Sequence, residues 1–232
     1  MGDRYEERAS GLDGAKVWTL SVDPGSVHPV LPDGCMDLLW IGGSLLVAGP
    51  DTHAGPASVS DGGSVAGIRF APGTAPALLG VPAHELRDRR IALAGLWPDA
   101  EVRELTERVA SAADPATALE EIALRRAAGT APPDPVMTFV AAQLDAGRSV
   151  ADTARSAGLG TRQLHRRSLT AFGYGPKTLA RVLRLQRALA LVRSGTPYAD
   201  AALAAGCADQ AHLAREMREL AGTTLTGYLA AS

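Results

Sequence analysis

Cysteine, aromatics and long apolar runs are all scarce in this chain. Two cysteines, Cys35 and Cys207, stand in 232 residues. They are too far apart for a metal-ligand spacing and too few for a disulfide scaffold, so a reducing cytoplasm is the expected setting. No run of eighteen apolar residues occurs, which argues against a membrane-spanning helix. The start, "MGDRYEERAS", has no apolar stretch behind a basic segment and does not read as a secretory signal. His28, His53 and His84 are scattered, and no His-x-His occurs. Metal enzymes built on small β-barrels gather several ligands on one strand pair, so ordinary histidines are expected here. No Ser/His/Asp arrangement, Walker loop or paired-carboxylate motif appears. The chain is expected not to be an enzyme and to need no cofactor or metal.

What is present is an ordinary globular composition, 46% hydrophobic and 21% charged. The net charge of −2 hides an asymmetry. Residues 1–133 carry 11 Lys+Arg against 18 Asp+Glu, and residues 134–232 carry 12 against 7. An acidic half joined to a basic half suggests different partners, and only the basic half suits phosphates. The composition changes at "GTAPPDP", residues 129–135, where three prolines and a glycine cannot continue a helix. Domains over 1–130 and 131–232 follow.

In the first domain, "AKVWTLSV", "CMDLLWI", "SLLVAG" and "SVAGIRFA" are short apolar runs between turn residues, and "IGGS" reads as a hairpin turn. Then "DAEVRELTERVA" places Val102, Leu105 and Val109 on one helical face, and "DPATALEEIALRRAAG" opens with an Asp-Pro helix start. The fold class is α+β, strands first and helices after. Trp18, Trp40 and Trp97 suit core packing, with ligand contact as the sharper alternative. Arg69 lies in a strand and points either into the β unit, where it would hold an anionic effector, or out to water.

The second domain repeats itself. Ala151, Asp152, Ala154, Ala157 and Gly158 recur as Ala199, Asp200, Ala202, Ala205 and Gly206, forty-eight residues on. After one inserted residue, Leu164, Arg166 and Gly173 recur as Leu213, Arg215 and Gly222, forty-nine on. Each copy has the anatomy of a helix-turn-helix. An Ala-rich helix allows close packing, Gly158 or Gly206 permits the sharp turn, and Thr161 or Asp209 is placed as the next N-cap. The second helix of each copy holds one inward Leu. Its outward donors can reach base edges: Arg162, Gln163, His165 and Arg166, then Gln210, His212 and Arg215. Between the copies, Leu179, Val182, Leu185, Leu189 and Val192 share a face, and Arg181, Arg184 and Arg187 fall on another. A helix of about eighteen residues spans roughly 27 Å. It would hold two recognition helices for major grooves roughly 34 Å apart on one side of double-stranded DNA.

"LGTRQLHRRSLTAFGYGPKTL", "RLQRALALVRSG" and "AGCADQAHLAREMRELAGTTLTGYL" resemble the DNA-binding domain of the bacterial AraC/XylS transcription regulators. This chain has Ser168 where the family usually has an aromatic and Leu225 where it usually has Pro. The resemblance implies base contacts from Arg162, His165 and Arg166, then Gln210, His212 and Arg215, with methyl contact from Ala211. It also implies RNA polymerase as a partner if the protein is an activator. "LPDGCMDLLW", "VAGP" and "GIRFAPGTAPALLGVPAHELRDRRIAL" resemble the N-terminal sensor region of some members. That likeness implies a cupin-like β-barrel for a small-molecule effector, followed by helices for homodimer pairing. The alternative is a cupin-like small-molecule-binding or metal-dependent protein whose helical tail does not bind DNA.

Overall fold

The computed structural model describes residues 4–23, 29–56 and 63–230, which leaves His28 outside. Strands β1 (Arg4–Ala9), β2 (Lys16–Ser21), β4 (Met36–Ile41), β5 (Ser44–Ala48), β7 (Ser64–Phe70) and β8 (Arg90–Ala92) form one antiparallel sheet. The order is β1-β2-β7-β4-β5-β8. The end strands β1 and β8 do not pair with each other, so the expected barrel takes the form of an open sheet. Strands β3 (Pro29–Val30) and β6 (Gly55–Pro56) make a separate two-stranded ribbon. Gly42 and Gly43 join β4 to β5 with φ of 55° and 80°. A two-residue hairpin turn with positive φ at both positions favours glycine, as "IGGS" implied.

Alternation along the strands separates two faces. Val17, Leu38, Ile68 and Phe70 point to one side and join a core with helices α1 (Ala75–Leu79), α2 (Ala83–Leu86), α3 (Asp99–Ser111) and α4 (Pro115–Ala128). Val102 and Val109 of α3 are buried there, with Leu105 partly buried beside them. The Asp114 carboxylate accepts from the N–H groups of Ala116 and Thr117, and so caps α4. Trp18, Asp37, Leu39 and Arg69 belong to the other face.

The remainder is helical: α5 (Pro135–Asp145), α6 (Val150–Ser156), α7 (Thr161–Phe172), α8 (Pro176–Arg193), α9 (Tyr198–Ala204), α10 (Gln210–Ala221) and α11 (Leu225–Ala230). None of the described helices is long and apolar enough to cross a membrane. Helix α8 serves two cores. Leu179 and Leu183 pack with α5 and α7, whereas Val182, Leu185, Ala188 and Leu189 pack with α9 and α10. Gly158 and Gly206 have φ of 66° and 91°, the left-handed conformation that a sharp turn after a helix needs.

Two seams join the sheet to the helical repeat. At one, the Phe172 ring lies so close to Gly73 that a Cβ there would come within 2.7 Å of it. The Arg87 guanidinium donates to Gly173 O at 3.3 Å in the same seam. At the other, Leu31 is buried in the core of the second copy. Gln186 Nε2 donates to Pro32 O at 2.6 Å, and Ala54 N to Leu220 O at 2.7 Å. Phe172 is 1% exposed. Phe172→Ala should therefore lower stability by about 3–5 kcal/mol in urea denaturation. A loss under about 1 kcal/mol would mean that this seam does not hold the halves together.

Candidate functional site

The two recognition helices are built alike and capped differently. Asp209 caps α10 as expected, its carboxylate accepting from His212 N at 2.6 Å. Thr161 does not cap α7. The cap is Gly160, Thr161 is the first helical residue, and Gln163 Oε1 reaches back to accept from Gly160 N at 3.3 Å. Glycine is tolerated at an N-cap because its backbone adopts the extended conformation freely, and here Gln163 satisfies that N–H. Leu164 and Leu213 are each 1% exposed and anchor the inner faces.

Arg162, Gln163, His165 and Arg166 are exposed along α7, and Gln210, Ala211 and Arg215 along α10. Among the described residues, the side chains of Arg162, Arg166 and Arg215 have no acidic partner. The His165 ring lies against Gly175, where a Cβ would come within 2.9 Å of it. His212 differs from the others. It is half-buried, its Nδ1 accepts from Ala208 N at 3.2 Å, and its Nε2 lies 3.5 Å from Glu216. It braces the turn of the second copy instead of standing clear of it.

The arginines of α8 have structural partners. Arg181 and Arg184 both bond Glu216, and Arg181 also bonds Glu219. Arg187 donates to the carbonyls of Leu144, Asp145 and Ala205. Burial alone would raise the Glu216 carboxyl, but Arg184, His212 and Arg181 override it and hold it below its usual range. The matching position in the first copy, forty-nine residues earlier, is Arg167. It bonds Asp134 at the start of α5, at 2.7 and 3.2 Å. Each recognition helix is thus fixed from behind by a charge pair, with opposite signs in the two copies.

Cys207, His212 and Glu216 bring three potential metal-ligand atoms within 4.8 Å of one another. Glu216 is already bound by two guanidiniums, which a dication would have to displace. Ser168 and Thr153 are both fully buried, and neither hydroxyl has a hydrogen-bond partner. A hydroxyl thus occupies the Ser168 position.

The free face of the sheet carries a second constellation. Trp18 pairs with Gly67 across the strands, and a Cβ on Gly67 would come within 2.5 Å of its indole. The indole lies flat on bare backbone, and its Nε1 donates to Asp37 Oδ1 at 2.7 Å. Arg69 Nε stands 3.2 Å from Asp33 and 3.3 Å from Asp37, and its guanidinium lies 5.6 Å from the Trp18 ring centre. Arg69 therefore points to the free face of the sheet, beside two carboxylates. The remaining tryptophans lie elsewhere. Trp40 is on the opposite face, against the helix-covered core, because it is one residue out of phase with Leu39. Trp97 is buried in that core and donates to Leu79 O at 3.2 Å. The Cys35 thiol is pushed well up by burial and by the nearby Asp33, so it is no ready nucleophile. His53 and His84 are exposed, His53 with its Nδ1 3.7 Å from Asp88 and His84 in the short helix α2.

Burial pushes the Asp37 carboxyl up to about 6, against the opposing pull of Arg69. The folded state therefore holds that proton more tightly than the unfolded chain, and the Asp37 contribution weakens the fold as pH rises from about 4 to about 6. Asp37→Asn should flatten this fall in urea midpoint, and an unchanged slope would count against the assignment. Glu216→Ala leaves Arg184 unpaired and Arg181 with Glu219 alone. Because both stay partly hydrated, the expected loss is roughly 2–4 kcal/mol, read from denaturation midpoints.

Residues 15–92 match a family described as a domain of unknown function (DUF6597). Residues 153–231 match one described as a helix-turn-helix domain. No curated protein matches the chain in sequence. Among solved structures, ToxT from Vibrio cholerae in its P21 form is similar over 100% of this chain and 99% of that one, with TM-score 0.52 and 10% identity. Wild-type ToxT bound to an unsaturated fatty acid is similar over 97% and 96%, with TM-score 0.51 and 12% identity. A probable AraC family transcriptional regulator from Rhodopseudomonas palustris covers 42% of this chain and 96% of its own, at 23% identity and TM-score 0.36. The ToxT likeness establishes a shared fold across both halves.

Proposed function

We propose that this AraC-type DNA-binding transcription regulator reads its operator with α7 and α10 in successive major grooves, and takes a small-molecule signal through its sheet. The observation that carries the DNA reading is the exposure of Arg162, Arg166 and Arg215 without acidic partners. An arginine already paired to a carboxylate gains little from a base or phosphate, whereas these three are free to make bidentate contacts with guanine. Gln163 and Gln210 suit adenine, His165 adds a donor, and Ala211 offers a methyl contact. His212 supports the turn beneath them. In this reading residues 1–130 sense the signal and residues 131–232 bind DNA.

The sensing half of the proposal rests on the cavity at Trp18 and Arg69 and on the Leu31 seam. The fatty acid in one ToxT structure shows that the fold accommodates a small molecule in that protein. The same reading places the protein in the cytoplasm, gives α3 and α4 as the face on which two copies pair, and makes RNA polymerase a partner if the protein activates.

Arg166→Ala and Arg215→Ala should each weaken specific binding by about 1–3 kcal/mol and relax preference at one base position. Fluorescence anisotropy on fragments selected from genomic DNA, over a salt series, measures both effects. Equal affinity for selected and scrambled fragments at low salt would refute sequence-specific recognition.

A further inference from the structure

The cavity on the free face of the sheet has a volume of ≈ 80 Å³. It shares the wall residues Leu20, Val30 and Leu31 with a groove of ≈ 620 Å³ beside the end of α8. One end of the cavity is apolar, with Leu20, Leu39, Ile41 and Val65. The other end holds three carboxylates, Asp33, Asp37 and Asp51, and two guanidiniums, Arg69 and Arg90. The charges do not balance. Asp51 takes both bonds from Arg90, at 2.8 and 2.7 Å. Asp33 and Asp37 must then share Arg69, which stands between them. One negative charge is left over among side chains that are only partly exposed, and a charge is costly in such a partly buried place unless it is matched.

We propose that the cavity binds a small amphipathic organic cation, a protonated primary amine on a short apolar chain, with its ammonium group at Asp33 and Asp37. The proposal rests on the sensing role above and gives the chemical class of the signal. An ammonium completes the charge balance and offers three donors to carboxylates that Arg69 serves only in part. The chain of the ligand then lies along the apolar end. A carboxylate ligand would bring a further negative charge beside Asp33 and Asp37. An occupant of this cavity touches Leu31, whose side chain is also part of the core that seats α10. Binding therefore has a direct mechanical route to the second recognition helix.

The test titrates the full-length protein with hexylamine, hexanoate and hexanol at equal ionic strength and a pH of about 7.5, where amines are charged. Calorimetry and Tm give the readout. Hexylamine should bind saturably and raise Tm, and the other two should bind at least about tenfold more weakly. Asp33→Asn and Asp37→Asn should each reduce hexylamine affinity by about tenfold or more. Asp33 is the less enclosed of the two, so its variant decides the matter if Asp37→Asn fails to fold. Hexanoate or hexanol binding as tightly as hexylamine, no hexylamine binding, or unchanged affinity in a folded Asp33→Asn would each overturn the proposal. Anisotropy of the amine-free wild type on DNA is measured alongside. Intact DNA binding with no amine preference removes only the ligand class, whereas lost DNA preference removes the regulator reading.

Discussion

Burial of α8 on two sides is the constraint from which the rest of the helical region follows. A helix that gives Leu179 and Leu183 to one core and Val182, Leu185 and Leu189 to another cannot rotate without emptying both. Both recognition helices are therefore referenced to one rigid axis of 18 residues. The polar flank of that axis is equally committed, since Arg181, Arg184 and Arg187 bond α10, the end of α5 and the turn at Ala205. Close packing and charge pairing act on the same helix from different sides, and the spacing of α7 and α10 is the result.

The sheet is attached to this assembly at two points that differ in kind. The Gly73–Phe172 contact is a steric fit against backbone, at a glycine with φ of 86°. The ribbon seam is a mixture of Leu31 packing and two backbone-acceptor hydrogen bonds. One seam holds the first copy and the other holds the second. A change at the free face of the sheet therefore reaches the two recognition helices unequally, with α10 nearer to the source.

The parts of the fold legible in the sequence were those with strong periodicity or fixed turn chemistry. The hairpin at Gly42–Gly43, the helices over 99–111 and 115–128, and the duplicated helical units could all be read from residue types. Strand β1 could not, because it is an exposed edge strand with no apolar alternation to betray it. The ribbon of β3 and β6 is two residues a side, and α1 and α2 are too short for a helical period to show. The outward arginines of α7 and α10 followed from spacing, since helical position fixes their side. The fates of Arg181, Arg184 and Arg187 did not, because their partners lie some eighteen to forty-three residues away in sequence. His212 has the same explanation: one helical step decides between open solvent and the turn at Ala208. The acidic surroundings of Arg69 did not follow from spacing, because Asp33 and Asp37 lie some thirty residues from it in sequence and only the sheet brings the two segments together.

The sign reversal between Arg167 and Glu216 has a consequence for how a duplicated chain avoids confusing its own halves. Were α10 to settle in the seat of α7, Glu216 would meet Asp134, like against like. Were α7 to settle in the seat of α10, Arg167 would meet Arg181 and Arg184. Two segments similar enough to compete for each other's place during folding are thereby keyed as a plug is to its own socket, and each mismatched assembly is penalised by repulsion in a partly desolvated site.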